Sequence, residues 1–342
     1  MSDKRNKEIL ADIVRAYIET GEPVSSRMIS RRHTESLSTA TIRNIMADLE
    51  DDGYLYQPHT SAGRVPTEAA YRVFVQDISQ DAQLPEPMRE GIHRELAAAQ
   101  TPEQVLERAS HVLASVSKAL GIVVSPPLSR TIIEHVRFMA LPDKLILVVL
   151  VTTGGVTRDK VVRVDREFTA EELDRTSEML NQKYSGWTLE SIRADIRAHL
   201  ARDREAYDRL MDNALLLCDP SVLGEDSSRE LYLEGAAHIA GAPEFSGQGD
   251  LRDLLGAIEE KRKLVLLLSN CIEAPEPVHV EIGIKQIDGA GANLSLVTAP
   301  YGGPEQAQGS VGILGPMRMH YERAITTVAC VAQYLNRIHS GS

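Results

Sequence analysis

Cysteine is scarce in this chain. Cys218, Cys271 and Cys330 are the only three in 342 residues, and they form no CxxC pair and no metal-ligand spacing. A disulfide framework and a zinc site are therefore not expected, and buried free thiols are. Aromatic residues amount to 4%, so the core must be built from Val, Leu, Ile and Ala. Long apolar runs are missing as well. Leu145–Val151 and Leu264–Leu268 are strand-length, far short of the roughly 20 residues that span a bilayer. The opening MSDKRNKEIL has no apolar stretch of the signal-peptide kind. A cytoplasmic protein without a membrane partner is expected. Motifs of catalysis are absent too. No GxxxxGK(S/T) phosphate loop occurs, and Gly154-Gly155 reads as a hairpin turn. Ser115, Ser125 and Ser269 lack a GxSxG elbow, and the ten His are scattered. Neither an enzyme nor a cofactor is indicated.

What is present is the make-up of a soluble, multidomain protein: 43% apolar and 25% charged residues over a length suited to two or three domains. The formal charge of −12 is spread unevenly, with −2 in residues 1–78 and −10 in the remainder. An acidic body is repelled by nucleic acid, so only the N-terminal part would approach a duplex.

The stretch Pro23–Pro66 organises that part. Ile42, Ile45, Met46 and Leu49 recur at helical spacing and mark a buried stripe. Thr39, Ala40, Arg43, Asn44 and Ala47 then point outward. Ser38 stands at the N-cap, where its hydroxyl can accept from a free N–H of the first turn. The outward residues suit a major groove. Arg reaches guanine O6 and N7, Asn pairs with adenine N6 and N7, and Ala or Thr methyls meet thymine. A preceding helix over about Ser25–Arg32 buries Met28 and Ile29 and leaves Arg27, Arg31 and Arg32 outside. From Ser26 to Arg43 there are four Arg against one acidic residue, Glu35, a basic patch on an acidic protein. After Asp52-Gly53, Tyr54–Tyr56 and Arg64-Val65 read as short strands around a loop holding Pro58, His59 and Gly63, with Arg64 within reach of phosphate. The pattern fits a helix-turn-helix with a β-wing, and also a plain helical domain carrying a hairpin.

Elsewhere the periodicity predicts a first helix over Lys4–Glu19, a helix after Thr67 ending near Ile78, and a linker at Ser79–Pro87, with a helix from about Pro87 to Ala99. It then predicts a helix from Thr101 to Gly121 and strands at Ile132–Leu141, Lys144–Val151 and Thr157–Val164. A helical block follows over Thr169–Leu217. Strand signals resume at Glu230–Glu234, Leu264–Leu268, Val278–Ile284, Ala292–Val297 and Gly309–Leu314. A helix over Leu251–Arg262 and a last one over Tyr321–Ile338 complete the set. This is an α+β chain with an antiparallel sheet interrupted by helices.

ETGEPVSSR, TATIRNIMADLEDDGYL and QPHTSAGRVPT resemble the N-terminal domain of the bacterial heat-inducible transcription repressor HrcA family, and GSVGILGPMRMHYERAI (Gly309–Ile325) resembles its C-terminal signature. Thr39 stands where the family often has Pro, and Ile45 where it often has Glu. The resemblance implies a winged helix-turn-helix over residues 1–78, a linker over 79–101, and a GAF-like domain in two parts, 102–168 and 226–342. Between the parts it implies an inserted helical dimerisation domain over 169–225. It further implies repression of groE- and dnaK-class chaperone genes by a homodimer on the inverted-repeat CIRCE operator, release on heat stress, and activity that depends on the groE chaperonin. The residues expected on DNA are Arg27, Arg32, Ser38, Thr39, Ala40, Thr41, Arg43, Asn44, His59 and Arg64. In GILGPMRM, Gly312, Gly315 and Pro316 shape a strand end; Gly315, Arg318 and His320 mark either a structural corner or an intersubunit contact. The competing reading is a ligand-sensing regulator whose GAF-like domain binds a metabolite, although no convergent polar cluster marks such a ligand.

Overall fold

A computed structural model describes residues 4–32, 37–59, 62–78, 84–127, 130–152, 157–200, 208–218, 229–245, 248–270, 276–284, 287, 290–302 and 308–339. Gly154, Gly155, His33 and Cys271, singled out above, lie outside them.

The N-terminal part holds α1 (Lys4–Thr20), α2 (Ser26–Arg32), α3 (Thr39–Asp51), β1 (Leu55–Tyr56), β2 (Val65–Pro66) and α4 (Glu68–Gln76). Ile9, Leu10, Ile13 and Val14 on α1 meet Ile42, Met46 and Leu49 on α3 in one core, as the 3.6-residue spacing requires. β1 and β2 pair antiparallel, Leu55 with Pro66 and Tyr56 with Val65.

The body is a five-stranded antiparallel sheet with strand order β8-β3-β11-β10-β9. Its strands are β3 (Leu120–Val124), β8 (Leu231–Glu234), β9 (His279–Ile282), β10 (Leu294–Tyr301) and β11 (Gly309–Pro316). Val123, Val297, Val311 and Ile313 face α6 (Pro102–Ser117) and the last helix, α13 (Tyr321–His339); α5 (Glu86–Ala97) joins this layer through Ile92 and Leu96. Leu120, Ile122, Leu296 and Leu314 face the other way, toward α10 (Ala236–Ala240), α11 (Gln248–Glu259) and α12 (Lys261–Asn270). The two cores lie on opposite faces of one sheet because side chains alternate along a strand.

Three sequence readings are corrected here. The helix read through to Gly121 ends at Ser117, and Lys118 turns the chain with a left-handed φ of 57°. The following residues form β3, an interior strand buried on both faces, which therefore lacks alternation. Leu264–Leu268, read as a strand, is helical: Leu264, Leu267 and Leu268 are buried at i, i+3 and i+4, while Leu266 is 65% exposed. Third, the strands assigned to the first part of a GAF-like domain do not join the body sheet. β4 (Ile132–Leu141), β5 (Leu145–Thr152), β6 (Thr157–Arg163) and β7 (Trp187–Thr188) make a separate antiparallel sheet with order β6-β5-β4-β7. It shares its own core with α7 (Ala170–Tyr184), α8 (Leu189–Leu200) and α9 (Asp208–Leu217). The sheet interrupting the body is thus mixed with helices rather than helical throughout, and begins before residue 169.

The N-terminal part does not stand apart from the body. Tyr71 and Phe74 of α4 pack on Tyr321 of α13, with ring centroids 6.0 and 6.4 Å apart. The helix expected beside the linker is likewise packed, as α5.

Candidate nucleic-acid interface

The start of α3 is fixed by Ser38, whose Oγ accepts from the Thr41 amide at 3.1 Å and lies 2.9 Å from the Thr41 hydroxyl. This satisfies one of the free amides of the first turn. Ile42, Ile45, Met46 and Leu49 are buried, so Ala40, Arg43, Asn44 and Ala47 share an exposed face. Ile45 extends the buried stripe, as its departure from the family pattern suggests. Thr39 begins the helix, and its hydroxyl donates to Ser30 of α2 at 3.3 Å.

The structure therefore divides the sequence-predicted set. Arg43, Asn44 and Ala40 come together on the open face. Ser38 and Thr41 are occupied with the helix start, and Thr39 ties α3 to α2. Arg27 is exposed on α2. Arg32 is exposed but paired with Glu19 of α1 at 2.5 Å. His59 is exposed in the segment that joins β1 and β2. Arg64 is less open: its side chain is 21% exposed with Nε 2.7 Å from the Glu50 carboxylate. Its backbone bridges Val24, pinning the hairpin base to the start of α2. Sequence periodicity missed both counter-ions, Glu19 and Glu50, because a partner from another element leaves no spacing signal.

The C-terminal trio separates. Gly315 lies against Met319 and Ala119, where a Cβ would come within 3.0 Å of the Met319 sulfur. His320 is exposed. Arg318 is engaged within its own chain, by Glu244 and by the Ile18 carbonyl of α1. Among the described residues no group of three or more His, Cys, Asp or Glu is placed to hold a metal ion, and no helix is long and apolar enough to cross a membrane. Burial pushes the Cys218 thiol up to about 12 and also raises that of Cys330, so both stay protonated at neutral pH.

A family profile described as HrcA protein C terminal domain matches residues 103–325. The heat-inducible transcription repressor HrcA of Geobacter sulfurreducens is 39% identical, over 99% of this chain and 98% of its own length. That of Syntrophobacter fumaroxidans is 34% identical over 99% and 98%. The chain belongs to the HrcA family. It is a heat-inducible transcription repressor of that family, and DNA binding follows from the membership. A crystal structure described only as that of a hypothetical protein shares the HrcA fold seen here, with a TM-score of 0.64 at 23% identity over 99% of this chain and 98% of its own.

Proposed function

We propose that this repressor binds an inverted-repeat operator as a homodimer, with residues 1–78 acting as a winged helix-turn-helix and α3 entering the major groove. The observation that carries the reading is the open face of α3. Ala40, Arg43 and Asn44 stand clear of the core on a helix whose cap and buried stripe fix its rotation. Arg43 and Asn44 suit bidentate contacts to guanine and adenine. Arg27 and Arg32 supply phosphate contacts from α2, and His59 from the wing. The operator implied by the family resemblance is the CIRCE repeat upstream of chaperone genes, and the DNA-bound dimer would block the promoter from the cytoplasm.

A two-fold operator calls for a two-fold protein, and the second sheet offers a surface for one. Its inner face is filled by Val136, Phe138, Ile146, Val148, Leu150 and Val162. Its outer face carries Met139, Leu141 and Val161, 38–51% exposed, beside Leu147 and Val149. This central apolar patch, rimmed by exposed Arg137, Asp159 and Arg163, is open on a single chain and suits a second copy of itself. The body sheet would then be the GAF-like domain that joins reader to dimeriser. The test is a footprint on the chaperone promoters of the source genome together with sedimentation of the free protein. Protection of both arms of an inverted repeat by a dimer is expected; random-sequence affinity equal to operator affinity would remove the proposal.

A further inference from the structure

The two signature blocks of the sequence lie some 300 positions apart yet meet at one side chain. Arg318 follows β11 and reaches the C-terminal end of α1. Its Nη1 donates to the Ile18 carbonyl at 3.3 Å, and its Nε to Glu244 at 2.6 Å. Carbonyls of a last helical turn have no partner within the helix, and the macrodipole places negative potential there, so a guanidinium is doubly suited to the spot. Gly21 makes room. It has a φ of +72°, and a Cβ on it would come 3.0 Å from Arg318 Nη1. Arg318 and Glu244 are 23% and 21% exposed, and the second carboxylate oxygen of Glu244 is buried without a hydrogen-bond partner. The contact is thus a largely desolvated charge pair, in which losing one member strands the other.

Around it the same two parts of the chain are joined repeatedly. Arg15 of α1 pairs with Glu322 of α13 at 3.1 Å and lies over the Phe74 ring. Arg72 of α4 donates to the Ile282 carbonyl at the end of β9, at 3.0 Å. None of these contacts covers Ala40, Arg43 or Asn44. The joint holds the DNA-binding part while leaving its reading face open.

We propose that Arg318 is a positioning residue for operator binding: with Glu244 it latches the α1–α4 unit onto the body sheet and so sets the distance between the two α3 helices of a dimer. The proposal rests on the two-fold operator reading above. Half-sites on one face of the duplex are about 34–36 Å apart, and a reading unit free to swing loses the effective-concentration gain of binding both at once.

The experiment uses full-length protein, with Arg318→Ala, Arg318→Lys and Glu244→Gln compared with the unaltered chain. Anisotropy titrations employ three duplexes: the intact inverted repeat, one with roughly five base pairs, half a turn, added between the arms, and a single arm. Arg318→Ala is expected to bind the single arm as before, to lose about tenfold or more on the intact repeat, and to discriminate less against the lengthened spacer. Full affinity and full spacing preference in this variant would overturn the latch. Should Arg318→Ala fail to melt cooperatively, the Lys and Gln variants answer the same question, since each keeps a side chain of similar size. Hydrogen exchange across α1 and α4 gives an arm without DNA. Faster exchange there in the variants supports the latch, and unchanged exchange rejects it, even if the unaltered protein ignored inverted repeats and thereby sank the operator reading alone.

Discussion

Arg43 and Asn44 are neighbours on one exposed face, and their contributions should differ from those of the other polar residues in the interface. Replacing either with Ala is expected to weaken operator binding by about 1–3 kcal/mol, as for a lost bidentate base contact, and to leave random-sequence binding nearly unchanged. Parallel titrations on operator and scrambled duplexes check this; an equal loss on both would reassign the residue to phosphate. Arg64 is a different case. From sequence alone it reads as a free phosphate contact, but its side chain leans on Glu50 and its backbone holds Val24. Arg64→Ala should therefore lower stability by about 0.5–1 kcal/mol for a partly exposed pair, seen as a lower melting temperature, and weaken DNA binding only mildly. A melting curve unchanged from the parent together with a clear loss on both duplexes would restore the phosphate role. The rotation of α3 was legible because its stripe is local in sequence. The state of Arg64 was not, because its partner lies on another element.

Among whole elements, the ones read correctly are those whose pattern is self-contained. α1, α3 and α13 carry long helical stripes. The β4–β5 hairpin is announced by Pro142-Asp143: Pro142–Lys144 join its strands, and Asp143 and Lys144 take positive φ of 61° and 58°, the left-handed backbone that tight hairpin turns use. β3 and α12 failed for a shared reason: a short, wholly apolar run has no polar residue to reveal its period, so Leu120–Val124 and Leu264–Leu268 are each compatible with strand and helix until their neighbours are placed. The start of α7 shows a local signal with a measurable consequence. Thr169 and Glu172 form a capping box, the Glu172 carboxylate accepting from the Thr169 amide at 2.9 Å and the Thr169 hydroxyl from the Glu172 amide at 3.1 Å. The backbone hydrogen bond from Thr169 holds the Glu172 carboxyl below its usual range, with Arg166 assisting. A depressed carboxylate stabilises the fold above its unfolded pKa, near 4.3, and that contribution fades as pH falls through the folded value. Glu172→Gln should cost about 0.5 kcal/mol at pH 7, at the low end for a cap because the side chain is 38% exposed and screened, and less in acid, near pH 3. Chemical denaturation at the two pH values tests it; a difference that persists undiminished in acid would show that the charge is irrelevant. On the second sheet, Val161→Glu places a charge on a side chain already 51% exposed. The monomer should tolerate it, while the dimer should dissociate in sedimentation; a persistent dimer would move the self-association surface elsewhere.

At the scale of the molecule, what the sequence concealed is how far apart its partners are. A composition shift near Ile78 marks the end of the N-terminal unit, but nothing local shows that the unit packs on the body. The body itself is assembled from distant segments: β3 at residues 120–124 pairs with β11 at 310–314, and its other neighbour is β8 at 231–234. The core that contains Ile9 also contains Leu335. The second sheet and its helices intervene between β3 and β8, so the central pairing of the body has to wait for a separate unit to fold or be bypassed. Topologies dominated by such non-local contacts fold slowly and leave apolar surface open on the way. α12, with Leu264, Leu267 and Leu268 destined for the sheet and Leu266 exposed even in the finished fold, is the kind of segment that a chaperonin captures. Under the operator reading proposed above, we propose that heat release needs no dedicated ligand: when chaperonin is filled by other unfolded clients, less repressor would return to its competent form, and chaperone genes would be freed by mass action. The expected outcome is that purified repressor, inactivated by warming and then cooled, recovers operator binding poorly alone and well with chaperonin and ATP. Complete recovery without chaperonin would instead place the thermal response in a reversible step of the repressor itself, for which the Arg318 joint between reading unit and body is the first place to look.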